Sequence, residues 1–181
     1  MRDPFTFRVA TLNILHDPPH LTWPRRAPLI EAGLIDLRPD IVLLQEVAWP
    51  EEQATALATV LRQVTSFGFT AHITGLLATT GWQEGLAILS WFPCLDVSEL
   101  EFPGAEKFCQ RARLDIDGKM IDIYNSHLDP YSAERRQQQI SMALEWITGF
   151  HAADAVVFGG DLNGIPNSAE IAPLQAALRS A

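Results

Sequence analysis

The chain has 181 residues, 48% of them hydrophobic and 19% charged, which excludes a disordered segment and makes one folded domain over residues 1–181 the leading organisation. Thirteen Lys and Arg stand against 22 Asp and Glu for a formal charge of −9, a balance that argues against a partner gripped by counterion release along a long polyanion. No stretch approaches the ~18 consecutive apolar residues of a membrane span and the N-terminus has no export pattern, so the chain is expected to be cytoplasmic, with no transmembrane segment.

Residues 5–13 alternate apolar and polar side chains as a half-buried strand does. A helix over 24–37 follows, with Leu29, Ile30, Leu34 and Leu37 assigned to one face and Pro39 closing it. Residues 41–44 form a continuous apolar run, short enough for a strand buried on both faces. A second helix is expected over 51–65. Strand-like runs come next at 69–74, 85–91, 95–102, 110–116 and 119–127, the last two joined at Asp117-Gly118, a hairpin signal. A helix over 132–150 begins on Ser132, 155–158 is another buried strand, and 169–178 a short last helix. Strands dominate the middle and helices flank them. The expected fold class is therefore α/β (α+β), two layers of mainly antiparallel sheet covered by helices. Cys94 and Cys109 stand in no metal-ligand or redox spacing and read as reduced thiols.

The polar residues that carry chemistry stand immediately after apolar strands. Glu46 ends the run Leu43-Leu44-Gln45-Glu46, where a carboxylate needs either a salt bridge or a hard cation such as Mg²⁺. Asp161 and Asn163 follow Gly159-Gly160, which lets the backbone turn sharply; an Asx turn would explain the pair without chemistry. His127 ends the strand at 119–127, and Asn13 ends the first strand, a place where capping is the ordinary role of an amide. Each signal is modest alone, but four strand ends carrying Asn, Glu, His and Asp-x-Asn in that order form a set.

With these motifs in view the sequence resembles the endonuclease/exonuclease/phosphatase superfamily, which includes deoxyribonuclease I-like nucleases and sphingomyelinases. Thr11-Leu12-Asn13, Pro39-Asp40 through Gln45-Glu46-Val47, Gly85 to Ser90, Asn125-Ser126-His127-Leu128 and Gly159-Gly160-Asp161-Leu162-Asn163 carry the resemblance, from about residue 7 to the end. It implies a deoxyribonuclease I-like two-sheet sandwich with a Mg²⁺ site, or a Mn²⁺ site, at one edge. By position Glu46 matches the main metal ligand and Asn13 an amide supporting metal and phosphate. Asp161 matches the acid that orients or deprotonates the attacking water, Asn163 the amide beside the scissile phosphate, and His127 a histidine donating to a phosphate oxygen. Glu84 stands where some members hold an acid that orients this histidine, and an acid there would favour its protonated form.

The resemblance also has a gap. Members of the superfamily carry a further region with an Asp and then an adjacent Asp-His pair, and this sequence contains no Asp-His dipeptide. The domain is thus expected to be C-terminally short, with an exposed sheet edge. Three readings follow: a shortened chain, a second chain that completes the sheet, or a fold used without catalysis. The leading function is a Mg-dependent phosphodiesterase in which water attacks phosphorus, acting on a small-molecule or lipid phosphate ester. The alternatives are an endonuclease, with Arg111, Arg113, Arg135 and Arg136 as a positive rim, and a catalytically incomplete domain that binds a phosphorylated ligand or a partner protein. Trp23, Trp49, Trp82 and Tyr131 are the candidates for an apolar or stacking wall, half of them expected to be ordinary packing residues.

Overall fold

The computed structural model describes residues 6–17, 21–48, 52–75, 84–104, 107–150 and 153–178. In chain order the elements are β1 (Val9–Asn13), α1 (Trp23–Leu37), β2 (Ile41–Ala48), α2 (Gln53–Thr65), β3 (Thr70–Gly75), β4 (Glu84–Ser90), β5 (Cys94–Phe102), β6 (Lys107–Ile116), β7 (Lys119–His127), α3 (Ala133–Gly149), β8 (Ala155–Asp161) and α4 (Ala172–Ala177). The strands form two sheets, β1-β2-β4-β3 and β5-β6-β7-β8. Within them β1 runs parallel to β2 and β7 parallel to β8, while the remaining neighbours are antiparallel. Each parallel pair is joined by a helix, α1 in the first sheet and α3 in the second, as a parallel crossover requires.

Helices cover the outer faces, so the order of layers is α/β/β/α. Period-two alternation in β2 explains its unbroken apolar run. Ile41 and Leu43 point inward and pack with Ile88 against Ala112, Leu114, Ile121 and Ile123 of the second sheet. Val42, Leu44 and Val47 point outward beneath α1 and α2, against Leu34, Leu57 and Leu61. A third cluster, with Phe102, Tyr124, Ile140 and Leu174, seals α3 and α4 onto the second sheet. Each fully buried aliphatic side chain contributes about 1.5–3 kcal/mol relative to exposure.

One buried polar bridge joins the sheets within the sandwich. Asn125 of β7 donates to the carbonyls of Leu44 (2.9 Å) and Ala87 (3.1 Å) and accepts from Gln45 Nε2 (2.7 Å), which also donates to Thr11. Its amide thus fixes the lateral position of β7 against β2 and β4, directly below the strand ends that carry the polar motifs.

Two sequence expectations change. The face assigned to α1 is narrower: Leu34 is buried and Ile30 packs on the core, whereas Leu29 and Leu37 are 74% and 60% exposed. Leu29 lies about 100° around the helix from Ile30, and Leu37 is the last residue of the helix, beyond its packed turns. The strand at 41–44 continues to Ala48 through a bulge, since Gln45 and Val47 pair with the consecutive residues Leu86 and Gly85 and leave Glu46 unpaired. Among the described residues no helix is long and apolar enough to cross a membrane.

Candidate active site

The carboxyl ends of β1, β2, β7 and β8 meet at one end of the sandwich, and each delivers one of the polar residues picked out in the sequence. Glu46 arrives through the bulge, with φ 58°, which turns its side chain out of the β2 alternation. Asn13 donates through Nδ2 to Glu46 Oε1 (2.7 Å) and to Asp161 Oδ2 (3.0 Å), bridging the two acids. Its Oδ1 accepts from the Leu15 N–H (2.9 Å), so the Asn13 side chain holds both carboxylates and the backbone at once. The second Glu46 oxygen accepts from the His16 N–H (2.7 Å).

Asp161 and His127 are register partners across the parallel β7–β8 pair. Gly160 makes this approach feasible: at φ 136° a Cβ would lie 1.9 Å from the Ser126 carbonyl oxygen. Asp161 Oδ1 accepts from the Asn163 N–H (3.1 Å), the Asx turn, and Asn163 Nδ2 donates to the Leu128 carbonyl (2.9 Å). Turn and site coincide here, because Asp161 and Asn163 both also line the cleft.

His127 is buried, with Nε2 3.9 Å from Glu46 Oε1 and 3.8 Å from Asp161 Oδ2. On the opposite side of the ring the expected partner is replaced. Glu84 Oε1 stands 4.0 Å from Nδ1, and Lys107 Nζ comes nearer, 3.2 Å from Nδ1, while also ion-pairing with Glu84. Burial, then the Lys107 ammonium, hold the His127 pKa below the ordinary histidine value, against the opposing pull of Glu84, Asp161 and Glu46. The pull of Glu84 toward a protonated His127, expected from the sequence, is thus opposed by burial and by the Lys107 ammonium. Lys107 was missed in the sequence because a lysine that opens a strand after a loop reads as surface.

These residues line an open cleft of about 570 Å³ together with Gly104, Asp129, Pro130, Tyr131 and Arg135. Asp129, a second residue missed, accepts from the N–H groups of Tyr131 (2.8 Å) and Ser132 (2.7 Å) and sets the entry to α3. Tyr131 is 94% exposed at the rim, and Trp23 packs on the first core cluster. Trp49 and Trp82 lie outside the described residues. The positive rim does not form as drawn. Arg111 is 1% exposed and, with Arg113, is paired to Asp122, while Arg136 is paired to Glu170; only Arg135 reaches the cleft, beside Asp129.

The family profile described as Endonuclease/Exonuclease/phosphatase matches residues 10–181. The chain belongs to this family. No curated protein matches the sequence. Among solved structures, a humanized D. rerio TDP2 carrying 14 mutations superposes with a TM-score of 0.70 at 21% identity, over 93% of this chain and 66% of that one. ANGEL2, a 2′,3′-cyclic phosphatase, gives 0.76 at 22% identity, over 94% and 56%. An endonuclease/exonuclease/phosphatase family protein from Leptotrichia buccalis C-1013-b gives 0.76 at 16% identity, over 95% and 74%. The chain therefore spans about 66% and 56% of the length of the first two. At these identities the likeness shows the fold, the deoxyribonuclease I-like sandwich of the family.

Proposed function

We propose that the chain hydrolyses phosphate esters, most directly phosphodiesters, through attack of water on phosphorus with Mg²⁺ or Mn²⁺ as cofactor. The observation that supports this reading is the convergence of Glu46, Asp161 and His127 around the Asn13 amide, from four strands, at the floor of one cleft.

The donor set fits a hard divalent cation. Four carboxylates line the cleft (Glu46, Glu84, Asp129 and Asp161) against two cationic side chains (Lys107 and Arg135), a surplus of two negative charges that an anionic substrate would meet. Among the described residues no group of three or more His, Cys, Asp or Glu is arranged to hold a metal by itself; Mg²⁺ takes one or two carboxylates and completes its shell with water and phosphate oxygens. Glu46 would hold the cation with Asp161 beside it, and the bound cation would neutralise phosphate charge and activate a water.

The chain's own groups do the rest. Asn13, shared between two acids, locks the Glu46 and Asp161 carboxylates in one arrangement. Asp161 orients the attacking water and accepts its proton. His127 donates from Nε2, and Asn163 from the second hydrogen of its amide, to the non-bridging oxygens as charge builds on them.

A small-molecule or lipid phosphodiester is favoured over nucleic acid, because Arg111, Arg113 and Arg136 are tied to acids away from the cleft mouth. Tyr131 and Arg135 support the endonuclease reading as a second one: a free ring and a cation on the same wall suit a nucleotide. The TDP2 structure in complex with a single-strand DNA product and the cyclic phosphatase ANGEL2 lend both readings support at the level of the fold. The test is release of nitrophenol from a bis-nitrophenyl phosphate, with plasmid nicking in parallel. Turnover that requires Mg²⁺ and falls at least about 100-fold in Glu46→Gln is expected. Absence of turnover with any divalent metal would leave only the ligand-binding domain.

A further inference from the structure

We infer that Lys107 is the positioning residue of the site: its ammonium donates to His127 Nδ1 and so places the imidazole proton on Nε2, the nitrogen that faces Glu46 and Asp161. The inference rests on the reading of His127 as a donor to substrate, and adds the residue that makes it one.

Four elements converge on this imidazole, and together they define its state. Glu46 from β2 and Asp161 from β8 face Nε2 at 3.9 and 3.8 Å. Glu84 from β4 and Lys107 from β6 lie on the Nδ1 side, with the ammonium at 3.2 Å and the carboxylate at 4.0 Å. A primary ammonium has three hydrogens and no lone pair, so its contact with Nδ1 requires that nitrogen to carry a lone pair. A neutral imidazole then has one place left for its proton, Nε2. Glu84 is the ion-pair partner of the ammonium, and its other oxygen stands 3.8 Å from His16 Nδ1, so its closest engagement is with Lys107. The carboxylate thus anchors the lysine, and the lysine sets the histidine.

The arrangement separates two designs that look alike in sequence. A carboxylate acting directly on a histidine accepts from Nδ1–H and stabilises the cationic ring, whereas an ammonium in between demands the neutral ring. The catalytic difference lies in what Nε2 does. With Lys107 present it is a fixed hydrogen-bond donor aimed between two acids. Without Lys107 the Glu84 carboxylate is left facing Nδ1, which then gains a proton, and Nε2 either loses its hydrogen or shares a positive charge.

The test is long-range ¹H–¹⁵N correlation on uniformly labelled protein at neutral pH, which distinguishes a pyrrole-type from a pyridine-type ring nitrogen at His127, assigned by its loss in His127→Gln. The expected result is pyrrole-type Nε2 with pyridine-type Nδ1 in the unmutated chain, kept in Glu84→Gln and Lys107→Arg, and replaced in Lys107→Met by an Nδ1–H or doubly protonated ring. An Nδ1–H or imidazolium pattern in the unmutated chain, or a Lys107→Met spectrum identical to it, overturns the inference. The first of these outcomes needs no variant to fold. Because the spectrum is read without substrate, its failure is distinct from absence of phosphodiesterase activity. Where turnover is present, Lys107→Met is expected to lower kcat at least about tenfold with KM little changed, and Lys107→Arg to restore most of it.

Discussion

Gly160 is the residue on which the geometry of the site turns most sharply. Its φ of 136° is barred to L side chains, and a Cβ there would meet the Ser126 backbone at 1.9 Å. Gly160→Ala is expected to cost about 3 kcal/mol or more, measured as a fall in the urea midpoint, or to prevent folding outright. Two histidines give the chain a second residue-scale signature. Burial holds His72, and burial with Lys107 holds His127, below the ordinary value of 6.5. The unfolded chain therefore binds protons that the folded chain refuses as pH drops past 6.5, so stability is full above that value and declines below it. Urea unfolding at about pH 7.5 and about pH 5.5 should show this decline, and His72→Gln should make it shallower; a flat profile would contradict the burial of both rings. The convergence of Asn13, Glu46, His127, Asp161 and Asn163 was legible in sequence because a polar residue at the end of an apolar strand is delivered to the edge of the sheet. Lys107 and Asp129 were not, since their roles depend on which loop ends face each other across the cleft.

At the scale of elements, β2 and β7 do the positioning. Asn125 ties them, and its removal takes one hydrogen-bond partner each from the Leu44 and Ala87 carbonyls and the Gln45 amide within the sandwich. Each buried polar group left without a partner costs about 1–3 kcal/mol. Asn125→Leu should thus destabilise the chain by about 3 kcal/mol, and should also impair activity, although Asn125 does not line the cleft. A smaller effect is expected at α3, where the Ser132 side chain accepts from the Arg135 N–H: Ser132→Ala should lower stability by about 1 kcal/mol in thermal unfolding. The strands and helices themselves were legible within a few residues, because β2 shows the unbroken apolar run of a strand buried on both faces and the Asp117-Gly118 turn declares its hairpin. What escaped was the bulge at Glu46, which depends on the partner strand, and the exposure of Leu29 and Leu37, which depends on how far the core extends beneath α1.

For the whole molecule, composition set the sign of the charge and the fold decided where it acts. The net charge of −9 and the neutralised arginines leave little long-range attraction for a polyanion. Turnover of a small diester should therefore change little between about 50 and 200 mM salt, where protein–DNA affinities collapse. The chain is built as two sheets of like pattern, each with a parallel pair at one edge, and the carboxyl ends of the two parallel pairs come together at the cleft. That symmetry was hidden in the sequence, where strand spacing carries no direction. It makes the Asn13 amide a clasp between distant parts: the two carboxylates it holds are 33 and 148 positions away along the chain. Until Asp161 has been made and β8 has docked, a nascent polypeptide carries Glu46 and Asn13 on a half-built sandwich without this cleft, so the site is a property of the assembled fold and of no single segment.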